Sequence, residues 1–557
     1  MQNDKNQNSN KVKKWLKVVA WVVGVAQLLF IGLFFFTAWL EHKIERMVAD
    51  QSKGVYKLQV YGLETSPFIG SLSVDSLALT PDFKKWQALS EQGQKVPRTL
   101  LNLQASAINL RNFNYAKALF SQDVQLDELK VQQPKLLMTV MRPDTTEEHK
   151  PLHETVKGFI KGLKIGRIDV REAGLNYRKG SSSDTLFALR KFDLVVTDYQ
   201  LDSASFQAKD RAYYAQKYKL MVSEAFYLLS DNLYKATADS ILIDTESETI
   251  LVNSVQLKPT VEPAALARAK GKAVTYQEVE VRQASFKGVD FRAHSRDNSI
   301  RVKHLALQKP SLVAFKDKQH FEDKGTKELP HDMVQSIKTS FLIDFLELID
   351  GYIRYAELVP KAVERGHISF HKLNVSITNL SNIPEQISMD NPALVQASTM
   401  VMDRAKLELT IRLPLLQENG YHTLEGRIGE TNLQVLNPIL MPAAFVQVQS
   451  GHISRGTFKA ELSRNRANGS MLLLYNNLHI ELLTKGSGGD QGLGKEVLSF
   501  LANKVAIESS NPEVGEEPRT GNITVTRDSQ KSVFNYWKEC LTSGFFSSMG
   551  LKGMAKQ

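Results

Sequence analysis

Cysteine is almost missing from this chain: 557 residues hold one, Cys540, which excludes a disulfide framework and any cysteine-built zinc or iron–sulfur site. No run of Lys and Arg is interleaved with aromatics, so no nucleic-acid surface is announced. The net charge of +10 is also less than it looks. Residues 1–17 carry Lys5, Lys11, Lys13, Lys14 and Lys17 against Asp4, a net +4, which leaves +6 over the rest. Catalytic signatures are absent too: there is no Gly-x-Ser-x-Gly elbow, no dinucleotide fingerprint and no setting for a catalytic cysteine. Gly489–Lys495 has the spacing of a phosphate loop, but Glu496 stands where a hydroxyl would hold magnesium and would repel the phosphates. His149 and His153 are four apart, as are His367 and His371, yet no metalloprotease glutamate follows and the second pair falls in a predicted strand. The expectation is a non-enzyme with no catalytic, cofactor-binding or metal-binding residues. Hydrophobic residues at 42% and charged residues at 23% nevertheless give a globular chain with ample material for a core.

One long hydrophobic run is present. Val18–Leu40 is 23 residues without a charge, and only Gln27 and Thr37 in it are polar. A helix of that length rises about 34 Å, enough to cross a hydrocarbon layer of about 30 Å. The run ends in bulky Phe36-Thr37-Ala38-Trp39-Leu40, unlike a signal-peptide cleavage site, so the anchor is expected to stay. The far flank, residues 41–57, nets only +1, and the positive-inside rule places the tail in the cytoplasm and the body across the membrane.

The body reads as a duplication. Tyr56-Lys57 through Val74-Asp75-Ser76-Leu77-Ala78-Leu79-Thr80-Pro81 matches Tyr234-Lys235 through Val252-Asn253-Ser254-Val255-Gln256-Leu257-Lys258-Pro259 at a constant offset of 178. Pro134 then meets Pro310, His153 meets His331 and Tyr177 meets Tyr355 at nearly the same offset. A truncated third copy is expected from Leu416–Tyr421, which echoes Leu229–Tyr234. The expected organisation is a cytoplasmic tail (1–17), a membrane helix (18–40), repeats at 56–233 and 234–410, and a C-terminal region at 411–557.

Inside each copy the apolar period is two, the mark of half-buried strands. In the first copy Leu72 and Val74 lie on one face and Leu77 and Leu79 on the other; in the second, Ile250 and Val252 precede Val255 and Leu257 with the same change of phase. A one-residue bulge near Ser76 and Ser254 would keep both pairs inward; the alternative is a strand apolar on both faces. These eight residues are the candidate lipid-groove positions. Short amphipathic helices are expected at Phe83–Ser90, at Ala264–Ala269 after Pro263, through Leu152, Val156, Phe159, Ile160 and Leu163, and through Val334, Ile337 and Phe341. The predicted fold class is mainly β with short amphipathic helices: a single transmembrane helix followed by an elongated, repeated antiparallel β-groove.

The layout resembles the AsmA-like family of bacterial envelope proteins. The resemblance rests on Gly70-Ser71-Leu72-Ser73-Val74-Asp75-Ser76-Leu77-Ala78-Leu79, on the strands around Pro134 and Pro310, and on a late block. That block runs from Gly426-Arg427-Ile428 through Leu436-Asn437-Pro438 and Ser450-Gly451-His452-Ile453, then from Gly469 to Tyr475-Asn476-Asn477-Leu478. The Tyr56–Tyr234 unit and the ending Phe534-Asn535-Tyr536-Trp537 are similar to forms common in Bacteroidota. The resemblance implies an inner-membrane protein with a periplasmic body whose β-groove holds phospholipid acyl chains and supports envelope assembly or lipid transport. A protein partner in the envelope would fit the same picture. The alternative is a filled scaffold that recruits such a partner by strand addition.

Overall fold

The computed structural model describes residues 37–121, 123–141, 151–155, 161–180, 184–229, 231–322, 324–483 and 508–550. Residues 18–36 of the apolar run, His149, and the Gly489–Lys495 loop lie outside them, as do Val156, Phe159 and Ile160. Among the described residues no helix is long and apolar enough to cross a membrane. The chain divides into two compact units, residues 1–223 and 224–557, and both are mainly β.

The first unit opens with a helix, α1, over residues 37–51. It continues with β1 (Tyr56–Tyr61), β2 (Glu64–Ser66), β3 (Ser71–Pro81), β4 (Thr99–Arg111), β5 (Asp123–Val140), β6 (Gly162–Lys179) and β7 (Thr185–Leu201). β1 and β2 both pair antiparallel with β3, β3 with β4, and β4 with β5. β6 then runs parallel to β5, and β7 antiparallel to β6. A parallel neighbour requires a crossover connection, and the short helix Leu152–Thr155 lies in it.

The second unit opens at the end of β8 (Ala215–Leu228) and adds β9 (Tyr234–Ala238), β10 (Ser240–Asp244), β11 (Thr249–Pro259), β12 (Thr275–Val289), β13 (Ile300–Gln308), β14 (Ser311–Asp317), β15 (Phe341–Leu358) and β16 (Gly366–Ser381). The order of pairings is that of β1–β7. β9 and β10 pair with β11, β11 with β12, and β12 with β13 and β14, all antiparallel. β15 is then parallel to β13 and β14, and β16 antiparallel to β15. Helices Phe83–Glu91 and Pro263–Lys270 follow equivalent strands, the second with Pro263 in its first turn. Seven more strands complete the unit: β17 (Ala393–Val401), β18 (Ala405–Leu413), β19 (His422–Ile428), β20 (Thr431–Asn432), β21 (Val446–Leu462), β22 (Arg466–Leu482) and β23 (Thr520–Thr526), every pairing among them antiparallel.

A file of left-handed residues crosses each stretch. Ala107, Gln133, Glu172 and Lys191 have φ near +50° in β4, β5, β6 and β7; Ser254, Lys309, Asp350 and Lys372 do the same in the second unit. One such residue breaks the alternation of the pleat, so apolar residues on either side of it can share a face. The ladder is already interrupted there: between Gln132 and Lys135, β5 has no rung to β4 or β6. Pro134, which has no N–H to donate, fits that gap.

Two local expectations change. No extra residue is inserted at Ser76 or Ser254, since β3 and β11 keep a single register on both sides of these positions. In the second unit a left-handed residue, Ser254 itself, stands at the change of phase; in the first unit β3 holds none, and the left-handed residue at that level is Ala107 of β4, between the rungs Val74–Ile108 and Ser76–Ser106. The crossover helices are also shorter than their apolar spacing suggested. Leu163 lies in β6 and Phe341 opens β15, because the parallel pairings claim those residues first.

Candidate functional site: the apolar sheet faces

Directly opposed residues in neighbouring strands share a face of the sheet, so the registers show which side chains line up. In the first unit Leu58, Leu79, Leu103, Leu136, Leu175 and Leu189 form one rung across β1, β3, β4, β5, β6 and β7. Past the left-handed file, Leu72, Leu110, Leu129, Ile168 and Val196 form another. Candidate positions Leu72, Val74, Leu77 and Leu79 all belong to one apolar cluster with Leu58 and Val60, and α1 contributes Ile44 and Val48 to it. Val74 is buried; Leu72, Leu77 and Leu79 are half-buried. The Glu45 carboxylate of α1 accepts from the Val60 backbone N–H at 3.0 Å and so satisfies part of the edge of β1.

The second unit carries the longer face. One rung begins Ile243, Ile250, Phe286, Leu305, Leu346 and Ile377. It continues through Val395, Ile411, Leu424, Ala460, Gly469 and Ile523, so that it crosses from β10 to β23. Two residues along, Ile241, Val252, Ala284, Leu307, Leu348 and Val375 start a second apolar rung that runs on through Ala397, Leu409, Gly426, Phe458 and Met471. The rung between them is largely polar from β15 onward: Glu347, Ser376, Gln396, Thr410, Glu425, Lys459, Ser470 and Asn522. One face is therefore apolar and the other wetted, as an antiparallel sheet covered on one side requires. Candidate Ile250 and Val252 stand in the two long rungs. Leu257 heads a third, with Val279, Leu312, Ile353, Phe370 and Val401. Val255 pairs with Val281. Every residue of β11 is half-buried.

A concavity of about 740 Å³ lies along β15–β21, lined by Leu348, Val375, Ala397, Leu409 and Phe458 together with Glu347, Glu408, Glu425 and Arg427. Gly426 is needed in its wall: a Cβ there would collide with the Phe458 ring and lie 2.6 Å from the Glu408 carbonyl oxygen. Sequence reading missed these residues because a rung is a lateral relation. Each strand's alternation was visible, but not which strand lay beside it.

At the β19–β23 end the apolar face is closed by the helix Val533–Ser548, whose Tyr536 and Cys540 join the buried cluster of Leu424, Phe458, Ala460, Met471 and Ile523. Burial pushes the Cys540 thiol up to about 12, so it is inert near neutrality. His422, also fully buried, has both ring nitrogens assigned: Nδ1–H donates to the Gly420 carbonyl at 2.9 Å, and Nε2 accepts from Trp537 Nε1–H at 3.0 Å. Desolvation lowers its pKa to about 4. His331 donates from Nε2 to the Tyr421 carbonyl at 3.0 Å, and burial lowers its pKa as well. His153, the position equivalent to His331, bonds the Tyr214 hydroxyl through Nδ1 at 2.9 Å, and His371 bonds the Ser369 hydroxyl at 2.9 Å. Among the described residues, no three His, Cys, Asp or Glu side chains converge as metal ligands. On the wetted side of the first unit, Asp169 is the most enclosed carboxylate. Burial alone would raise its pKa, but hydrogen bonds from Arg171 and Arg167 hold it below the usual range.

No protein-family model and no curated protein matches this chain.

Proposed function

We propose that this protein is a single-pass, membrane-anchored lipid-binding β-groove, its anchor at Val18–Leu40 and its body on the far side of the bilayer. In that place it would serve envelope assembly or phospholipid movement, as the likeness to AsmA-like proteins implies. The supporting observation is the pair of apolar rungs from β10 to β18, whose large side chains stay half-buried at most positions instead of closing into a core. Half-open rows of Ile, Leu, Val and Phe on one face, backed by a polar face, suit acyl chains laid across the strands.

The test is a photo-crosslinking amino acid placed at Ile377 or at Ser376 in the full chain in its own membrane. Lipid adducts at Ile377 and none at Ser376 are expected. Adducts at neither position, in a folded protein, would remove the lipid reading. A second reading, the filled scaffold, draws on α1, whose Ile44 and Val48 pack against the buried cluster of Leu58, Val60 and Val74.

A further inference from the structure

Exposed large apolar side chains collect at one end of the first unit. Phe68 and Ile69, in the turn between β2 and β3, are 85% and 70% exposed, and Phe120, in the connection from β4 to β5, is 88% exposed. The two connections adjoin: the Phe113 N–H donates to the Gly70 carbonyl at 2.7 Å, and Leu110 near the end of β4 pairs with Leu72 near the start of β3. They also lie close to the last residues of the apolar run. The Thr37 and Thr65 hydroxyls are hydrogen-bonded at 2.7 Å, and Thr37 is three residues inside Leu40, where that run ends. From Thr65 the chain passes directly into the β2–β3 turn, closed by the Ile69 N–H donating to the Ser66 carbonyl at 3.2 Å. Trp39 is itself 48% exposed, with the Lys43 ammonium 4.6 Å from its ring centroid, an aromatic–cation pairing suited to the headgroup region.

The equivalent turn in the second unit provides an internal control. At the offset of 178, Phe68, Ile69 and Gly70 correspond to Glu246, Ser247 and Glu248. The turn geometry is kept, since Gly70 and Glu248 are both left-handed, at φ 67° and 52°. Its chemistry is reversed: Glu246 and Ser247 are exposed and polar, and their backbone N–H groups are taken up by Asp244. Fold constraints alone therefore do not demand apolar residues there.

We infer that the Phe68–Ile69 turn, with Phe120 and Trp39 beside it, is a membrane-docking edge that dips into the lipid interface next to the chain's own anchor and fixes how the first unit stands on the bilayer. This rests on the reading that Val18–Leu40 spans the membrane. The occupant is the headgroup–acyl boundary, where apolar and aromatic side chains a few ångströms deep are stabilised.

The test uses the full chain in nanodiscs of phosphatidylethanolamine and phosphatidylglycerol. Single cysteines introduced as Ile69→Cys, Ser247→Cys or Leu29→Cys carry an environment-sensitive fluorophore; Cys540, buried and with a raised pKa, stays unlabelled near neutrality. The expected result is a blue-shifted label at position 69, quenched by spin-labelled lipid and protected from iodide, beside an iodide-quenched label at position 247. A position-29 label in lipid with the position-69 label open to iodide would overturn the docking edge and leave the anchor standing. Labels at both 29 and 69 open to iodide would overturn the anchor, and the docking edge with it. Unchanged thermal melting of the Ile69→Cys protein ensures that the readout reports position and not unfolding.

Discussion

The long apolar rung of the second unit has two unlike ends. At β19–β23 its members Leu424, Ala460 and Ile523 are at most 2% exposed, closed beneath the C-terminal helix. At β10–β12 its members Ile243, Ile250 and Phe286 are half-buried, in strands of the same pairing and the same kind of residue. The backbone does not set the difference; the covering layer does. Leu and Ile in such rows become core where a helix supplies the other wall, and remain an accessible apolar surface where it does not. The first unit lies between these extremes, since α1 brings Ile44 and Val48 onto β1 and β3 while most of its leucine rung, from β3 to β7, stays half-buried.

The sharpest way to break this comparison is to put one carboxylate beneath the helix and another on the uncovered strand β11, in the neighbouring rung that Leu257 heads. Leu424→Asp places an unpaired charge in a closed core and should cost about 4 kcal/mol or more, enough to abolish cooperative unfolding of the second unit in a thermal melt. Leu257→Asp lies on β11, where water already reaches, and should cost about 1 kcal/mol while abolishing lipid adducts at neighbouring positions. Equal destabilisation by the two variants would show the β11 face to be core, and the groove reading would fall.

The closed end should also respond to acid through its buried histidines. His422 is neutral in the folded state with a pKa near 4, against about 6.5 unfolded. Between those values the unfolded chain binds more protons, so stability falls as pH drops from about 6.5 to about 4 and levels off below. The loss is on the order of 3 kcal/mol. His331, shifted in the same direction, adds to it. Denaturant titrations at pH 7 and pH 4.5 measure the slope, and His422→Phe should flatten it. An unchanged slope in that variant would mean that other groups carry the acid sensitivity.

How much of this was legible in the sequence follows from which relations are local. The apolar period of two, and the change of phase at Ser76 and Ser254, are properties of a few consecutive residues, and Leu72–Leu79 and Ile250–Leu257 do lie in strands. Phase can be reset either by an extra residue or by a left-handed one. Both leave the same apolar pattern, so the mechanism at Ser254 was not readable. Lateral relations were further out of reach. Nothing in Leu58, Leu79, Leu103, Leu136, Leu175 and Leu189 taken singly says that they stand side by side. That depends on register, and on a parallel β5–β6 pairing that ends the crossover helix before Leu163. The concavity was hidden for the same reason, since Glu347, Glu408 and Glu425 come from three different strands.

A smaller effect is expected in the wall of that concavity. Gly426→Ala would force its methyl group against the Phe458 ring and the Glu408 carbonyl, an overpacking cost of about 1–3 kcal/mol. Combining it with Phe458→Leu should recover part of that loss, because the ring makes the closest contact. A double variant no more stable than Gly426→Ala alone would point to the backbone contact as the dominant one. A chemical-denaturation midpoint for each of the three variants decides it.

The smallest expected effect separates the two ways in which equivalent strands change phase. Ser254 holds φ 51°, whereas in the first unit the left-handed residue is Ala107 and Ser76 is not among the positive-φ positions. A β-branched side chain is poorly tolerated in the left-handed region, where a non-glycine residue already costs about 1–2 kcal/mol. Ser254→Val should therefore destabilise the second unit by about 1–2 kcal/mol, and Ser254→Gly should be neutral or stabilise it by up to about 1 kcal/mol by removing the Cβ clash. Ser76→Val, in ordinary extended backbone, should change little, since a β-branched residue suits a strand. In the first unit the sensitive position should be Ala107, where valine is harmful and glycine favourable. Thermal melts of these five variants separate the cases. If Ser76→Val proves as damaging as Ser254→Val, the two strands share one mechanism after all, and the left-handed residue at Ala107 is incidental to the change of phase.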